Sequence, residues 1–531
     1  MASLPDKWDL EVDLVAVGSS SGGLTAAIVG HDLGLKTVLL EKAATLGGGT
    51  AYSGGIIWIG ANHHELEEMG IQDSKEETLT YLQRISSGRG DEKKQKAYAE
   101  TGPEVLRYME EHTPLKMIVS RMVDYRAELP GGKGVGRYLA GDPIEMGMML
   151  TQMYPKVPLL QKVRVSPMAQ TEMGGLPAQM WAGGRAFIGP LVLGCADRGI
   201  DILTETPAKQ LVQDASGRVV GIRAQRLGKD FYVKANKAVV LATGGYEWNE
   251  ELNRRFMHGP KIVAFTPPSN SGDGHIMGME VGAAIALMDH SLWLPAVHIP
   301  GEMNDDKPLF RLFLGSCGKP GDILVNRKGE RFCDESFYPD MGRGWVTYDS
   351  HNQEFPNAPC FHISDQAYRD KYPIATAAPG TPAPAWLSQA NTLRELAGKL
   401  DIDSDGLEKT VAQFNDYAKA GKDPDFRRGE YLYDRNVSGD PSAANPCLGP
   451  ISKPPFYGVE VLPATAGHEG GLVTNDKAQV INVRGDIIPG LYACSNTAAH
   501  LVCGFSYNSG LANGQSFVFG YIAARHIATG A

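Results

Sequence analysis

The sequence has no run of about 18 apolar residues, the length a helix needs to cross a bilayer, so no transmembrane span is expected. Met1–Leu10 has no basic stretch followed by an apolar core, so no secretory leader is expected. Cysteine is sparse. The seven (Cys195, Cys317, Cys333, Cys360, Cys447, Cys494, Cys503) are odd in number and scattered, with no C-x-x-C pair. Free thiols in a reducing cytoplasm are expected, without disulfides or a metal site. No basic stripe occurs. Lys+Arg number 51 against 61 Asp+Glu, for a formal net charge of −10, with the two signs interspersed. Nucleic acid is thereby excluded as a partner. No internal repeat or low-complexity segment is present.

Glycine, by contrast, is abundant, with 63 in 531 residues. Such an excess supplies tight turns and close backbone approaches, as in a chain wrapped around a large cofactor. The length points to two domains sharing a long interface. Residues 1–290 and 460–531 are expected to form a cofactor domain, with 291–459 inserted as a substrate domain.

Asp13 to Gly18 reads as a buried strand ending at a glycine cluster, Leu24 to Leu33 as a helix, and Thr37 to Glu41 as the next parallel strand, a βαβ unit. Further strands are expected at 202–207, 208–212, 219–226 and 238–242. Helical periodicity marks 73–112, 407–419 and 515–528. From about Trp293 to Ala383 the density of proline, glycine and aromatics predicts an irregular region draped over a site.

Gly18-Ser19-Ser20-Ser21-Gly22-Gly23 sits between strand and helix, the context that the G-x-G-x-x-G pattern requires. Gly18 permits the tight turn, Gly23 permits close packing of helix on strand, and Ser20 replaces the middle glycine. The helix N-terminus, with Ser21 and Gly22, then presents N–H groups to a pyrophosphate. Glu41 ends the second strand, where a carboxylate accepts from ribose hydroxyls and disfavours a 2′-phosphate. Immediately after it, Gly47-Gly48-Gly49-Thr50-Ala51-Tyr52-Ser53-Gly54-Gly55 is a small-residue run that lets backbone lie against a ring system, which favours FAD over NAD.

Gly48 to Gly55 with Trp58 resembles the fumarate reductase/3-ketosteroid dehydrogenase flavoproteins. So do Gly183-Gly-Arg-Ala186, Ala242-Thr243-Gly244-Gly245, Ser271-Gly-Asp273, Gly329 to Ser336, Gly470 to Thr474 and Pro489 to Tyr492, in order over nearly the whole chain. The resemblance implies an α/β fold: a Rossmann-type FAD-binding domain with an inserted α+β substrate (catalytic) domain. It also implies FAD contacts from Gly18, Ser20 to Gly23, Glu41, Lys42, Gly48 to Ala51, Ser53 to Gly55, Ala208, Ala242, Thr243, Gly244, Asp273, Asn496, Gly510, Leu511 and Ala512.

Within that family, Ser336-Phe-Tyr-Pro-Asp340 stands where the fumarate branch carries its arginine, and Gly467-His468-Glu469 holds only half of that branch's His-Thr element. Asp124-Tyr125, Glu335-Ser-Phe-Tyr338 and Ser506-Tyr507-Asn-Ser-Gly510 instead resemble the 3-ketosteroid Δ1-dehydrogenases. That resemblance implies desaturation of a cyclic ketone. Tyr507 hydroxyl and the Gly510 amide would polarise the carbonyl, Tyr338 assisted by Tyr125 would take the α-proton, and flavin N5 would take the β-hydride. Tyr338 precedes its proline rather than following it, and Tyr507-Asn-Ser509 also resembles the 3-oxo-5α-steroid Δ4-dehydrogenases. A smaller cyclohexanone-type substrate, that Δ4 reaction and a fumarate-type enoate reductase remain alternatives. His468 is expected to be structural or flavin-adjacent. A separate electron acceptor is implied, and the sequence leaves it and the oligomeric state open.

Overall fold

The structure is a computed structural model and describes residues 4–86, 88–166, 181–503 and 507–530. Ser506 of the Tyr507 element lies outside these.

The strand Leu10–Val17 is apolar and buried on both faces from Leu14 onward, the pattern of a strand inside a parallel sheet. It pairs in parallel with Thr37–Leu40 on one side and with Lys229–Leu241 on the other. Asp201–Leu203 and Ile487–Ala493 extend the parallel sheet at its two ends. The chain turns from Val17 through Gly18 at φ +98°, where an added Cβ would lie 2.3 Å from the Ala242 carbonyl oxygen. The helix Ser21–Asp32 then packs back so closely that a Cβ at Gly23 would fall 1.9 Å from Gly18 O. The last helix lies against it, with Gly22 N–H donating to Ser516 Oγ at 2.9 Å. Ile28, Leu24 and Phe517 are completely buried between these layers, each contributing about 1.5–3 kcal/mol through burial.

Trp293 to Ala383 is not the irregular drape its composition suggests. Ser291–Asn304 is a 14-residue strand in a seven-stranded sheet, paired antiparallel with Phe456–His468, which in turn pairs with Cys360–Ser364. Proline hides the strand from a pattern search. In the fold Pro295 pairs in register with Pro463, so neither residue asks the other for an N–H. The final helix also differs from its periodicity, spanning Leu511–Thr529 with Gly510 (φ +81°) before it rather than starting at 515. The segment 73–112 divides into two helices, Lys75–Ile85 and Glu92–His112.

A small three-stranded sheet packs into the same core as the parallel sheet, through Ile57, Trp58, Met117, Tyr138 and Leu139. Ile57–Trp58 pairs with Tyr138–Gly141, and Met117–Val119 pairs with the opposite edge of Tyr138–Gly141. The loop that follows Met117–Val119 carries Tyr125. All seven cysteines are free and buried. Among the described residues no helix is long and apolar enough to cross a membrane.

Candidate active site

A cleft with about 1060 Å³ free of protein atoms opens at the carboxyl ends of the parallel strands, the place where open α/β sheets bind ligands. Of the residues expected at FAD, it is lined by Gly18, Ser20, Glu41, Lys42, Gly48, Gly49, Thr50, Ser53, Ala208, Ala242, Thr243, Gly244, Asp273, Asn496, Gly510 and Ala512. Ser21, Gly22, Gly23, Ala51, Gly54, Gly55 and Leu511 do not line it. Gly22 and Gly55 are packed against protein instead: Gly22 N–H is taken by Ser516, and a Cβ at Gly55 would strike Gly184 Cα at 2.5 Å. Ser269, Asn270, Asn513 and Ser516 line the cleft without having been singled out in the sequence. Asn270 adjoins the Ser271-Gly-Asp273 motif, which could have pointed to it.

The walls fit a flavin dinucleotide. An added Cβ at Gly48 would meet no protein atom within 4 Å, and one at Gly49 only Asn270 Nδ2 at 3.8 Å, so backbone there lies bare to a planar ligand. Glu41 is first a peg for the turn: its carboxylate accepts from Ser19 N at 3.0 Å, Ser19 Oγ at 2.6 Å and Ala43 N at 2.8 Å. A carboxylate accepts about four hydrogen bonds, which leaves it capacity for a ribose hydroxyl. Lys42 Nζ bridges Ser271 Oγ (2.5 Å) and Asp273 (2.7 Å) across the cleft. The 19-residue final helix begins at the cleft wall, with Gly510, Ala512 and Asn513 facing in, so its positive end is turned toward the slot.

Beyond the cleft the structure gathers the three tyrosines. Tyr125 Oη and Tyr338 Oη are hydrogen-bonded, with ring centroids 5.5 Å apart and edge to face. Tyr507 lines the cleft itself, 6.4 Å ring to ring from Tyr125, and packs against both of the two large hydrophobic cores. The Gly510 amide sits against the Tyr507 hydroxyl. Tyr433 completes the cluster at 4.5 Å from the Tyr125 ring. With 20 tyrosines in the chain and Tyr433 in a loop-rich stretch, nothing in the sequence marked it.

Local structure aims each side chain. Tyr338 is the first residue of the helix Tyr338–Trp345, and Pro339, lacking an N–H, is suited to the opening turn. Below it, Glu335 accepts from Arg331 at 2.7 Å and from Arg428 at 3.1 Å. Tyr125 is held by its neighbour Asp124, which accepts from Trp58 Nε1 (2.6 Å), Lys133 N (2.8 Å) and Arg137 (3.1 Å). Asn508 Oδ1 accepts from Tyr125 N at 3.1 Å and ties that loop to the Tyr507 segment. Arg137 is fully buried and also pairs with Asp73 at 2.6 Å. Arg137→Ala would strand two buried carboxylates, and a loss of about 3–5 kcal/mol in unfolding free energy is expected from denaturant titration of the holoprotein.

Burial pushes the phenols of Tyr125, Tyr338 and Tyr507 above the ordinary tyrosine range. The neighbouring phenols Tyr507 and Tyr433 push Tyr338 further up, and the hydrogen bond from Tyr125 pulls it back. Tyr507 is thereby kept a protonated donor. The arginines flanking the cluster carry acid partners: Arg331 holds Glu335 and Asp423, Arg428 holds Asp322 and Glu335, and Arg126 lies 3.4 Å from the Phe337 ring centroid and 3.6 Å from Asp434. His468 is buried, with Nε2 2.8 Å from Asn253 Oδ1 and its backbone N–H on Glu247.

Comparison with known proteins finds relatives over nearly the whole chain. The family described as FAD binding domain matches residues 13–511. A 3-oxosteroid 1-dehydrogenase of Mycobacterium tuberculosis is 36% identical, with 98% of each chain covered. A 4-oxocyclohexanecarboxylate 2-dehydrogenase of Sinomonas cyclohexanicum is 33% identical, covering 97% of this chain and 92% of that one. The crystal structure of 3-ketosteroid delta1-dehydrogenase from Sterolibacterium denitrificans in complex with 1,4-androstadiene-3,17-dione superposes with a TM-score of 0.85. It is 30% identical and covers 98% of this chain and 100% of that one.

Proposed function

The chain belongs to the FAD-binding flavoprotein family that includes the 3-ketosteroid dehydrogenases, and on that premise we propose that it introduces a C=C bond α,β to the carbonyl of a cyclic ketone, a 3-ketosteroid first among candidates. It is a flavin-dependent oxidoreductase. The observation that carries the proposed reaction is the tyrosine cluster, in which Tyr125 and Tyr338 share a hydrogen bond and Tyr507 reaches from them into the cleft.

When bound in the cleft, FAD supplies the acceptor for the hydride from the β-carbon. The rest falls to the chain. Tyr507 Oη and the Gly510 amide donate to the ketone oxygen and stabilise the enolate charge as it develops. That charge stabilisation acidifies the α C–H, and Tyr338 Oη accepts the proton. Tyr125, itself neutral, donates to Tyr338 and favours its phenolate without bringing a second charged group into the aromatic pocket. Because the flanking arginines are engaged by Glu335, Asp423, Asp322 and Asp434, the pocket suits a neutral ketone better than the dicarboxylate of a fumarate-type reaction.

The test is anaerobic mixing of oxidised holoenzyme with androst-4-ene-3,17-dione and, separately, with cyclohexanone. Flavin bleaching by either supports the reading and tells steroid from small ring. Bleaching by neither, with turnover of an unsaturated carboxylate by dye-reduced enzyme, would replace it with the enoate reductase.

Tyr125→Phe probes the shared hydrogen bond. Tyr338 works deprotonated, so rate rises as pH passes upward through its pKa. Removing the bond that lowers this pKa moves the rising limb to higher pH. A hydrogen bond to a charged group is worth about 1.5–3 kcal/mol, so the rate near pH 7 should fall by about 10–100-fold and recover in alkali. A pH-independent loss would assign Tyr125 a packing role instead.

A further inference from the structure

We propose that His63, His64 and Glu110 form a binding site for a divalent transition-metal ion of zinc-like ligand preference, apart from the flavin cleft. Among the described residues this is the one group of three or more histidine, cysteine, aspartate or glutamate side chains whose ligand atoms all lie within 4.8 Å of one another. None of the three lines the cleft.

The geometry is that of converging ligands. His63 Nε2 and His64 Nε2, on consecutive residues, face the same carboxylate oxygen, Glu110 Oε2, at 2.9 and 3.0 Å. Ligand atoms around a tetrahedral zinc at 2.0–2.2 Å stand about 3.4 Å apart. Widening these contacts by about 0.4 Å therefore admits the ion, which takes the place of the two N–H protons. The imidazoles are already crowded, with ring centroids 4.1 Å apart.

The supporting contacts are those that orient metal ligands. His64 Nδ1 lies 2.9 Å from Glu68 Oε1, which directs its Nδ1 proton outward and leaves Nε2 for the ion. Glu110 Oε1 accepts from Met117 N at 2.8 Å and lies 3.1 Å from His64 Nε2, so the carboxylate is fixed with both oxygens on the histidine side and Oε2 shared by the two rings. Two imidazoles with one carboxylate select zinc, cobalt or nickel over magnesium or calcium, which prefer all-oxygen shells. The side chains are 13%, 10% and 7% exposed, enough for an ion to enter and for water to fill a fourth position. The ion would pin the segment His64–Glu68 to the end of the helix Glu92–His112 and to the first residue of the strand Met117–Val119. The spacing is irregular, two adjacent histidines and a glutamate 46 residues beyond, so no sequence pattern announces it.

The experiment titrates chelator-treated, flavin-loaded protein with CoCl2 and ZnCl2. One cobalt per chain is expected, with visible ligand-field bands displaced by zinc, an unchanged flavin spectrum and a melting temperature raised by a few degrees. His63→Gln and Glu110→Gln should each weaken cobalt binding about tenfold or more while leaving flavin content and basal dye reduction unchanged. Absence of stoichiometric binding, or undiminished binding in a folded His63→Gln protein, overturns the proposal. Should both variants fail to fold, X-ray absorption of the zinc-loaded wild type decides: two imidazoles with oxygen support it, and sulfur or any other imidazole number refutes it.

Discussion

Tyr338→Phe is expected to slow ketone-dependent flavin bleaching by about 10²–10⁴-fold while the protein still purifies yellow, the span over which a positioned proton acceptor acts. Phenylalanine keeps the ring that packs edge to face on Tyr125 and removes only the oxygen that would take the α-proton. Tyr338 lies outside the cleft wall, so flavin content should not change. The variant also leaves the buried Tyr125 hydroxyl without that partner, which costs about 1–3 kcal/mol of stability but does not touch the fold. Stopped-flow bleaching with α-deuterated ketone is the informative readout: the isotope effect should grow as proton removal becomes limiting. A loss under tenfold would move the base elsewhere in the cluster, with Tyr433 the next residue to replace.

The second large effect is expected for Tyr507→Phe, about 10²–10³ in kcat, as for removal of one donor from an oxyanion site. Burial holds this phenol protonated, and the Gly510 amide beside it offers the second donor, so deleting one hydroxyl leaves half of the carbonyl clamp. The two variants should differ in pH behaviour. Tyr338→Phe should flatten the rising limb of the rate profile, whereas Tyr507→Phe should lower the whole profile and leave its shape. Unchanged ketone-dependent bleaching in Tyr507→Phe would take Tyr507 out of the carbonyl clamp and leave polarisation of the ketone to the Gly510 amide or another donor.

How much of this was legible varied with distance along the chain. The βαβ unit at the start could be read because strand, glycine turn and helix are contiguous, and each glycine has a local reason: Gly18 for its left-handed turn, Gly23 for the helix that lies on it. The seven-stranded sheet could not. Its long strands carry Pro295 and Pro463, residues that argue against strand in isolation and are tolerated here because they pair with each other. Glu41 was found by position, yet its first task, holding Ser19 and Ala43, is a tertiary matter. Tyr433, Asn508 and the His63–His64–Glu110 trio have no contiguous signal.

By itself the sequence determined the nucleotide-binding architecture and the flavin, because turn, helix start and acidic strand end are local features whose conformations follow from nearby residues. The meeting of Tyr125, Tyr338 and Tyr507 was decided only in three dimensions. They are 213 and 169 residues apart along the chain. What unites them is a buried carboxylate at Asp124, a proline-started helix at Tyr338 and the left-handed glycine ahead of the last helix. Those are packing and charge-pairing choices made by the whole core, and no window of sequence contains them.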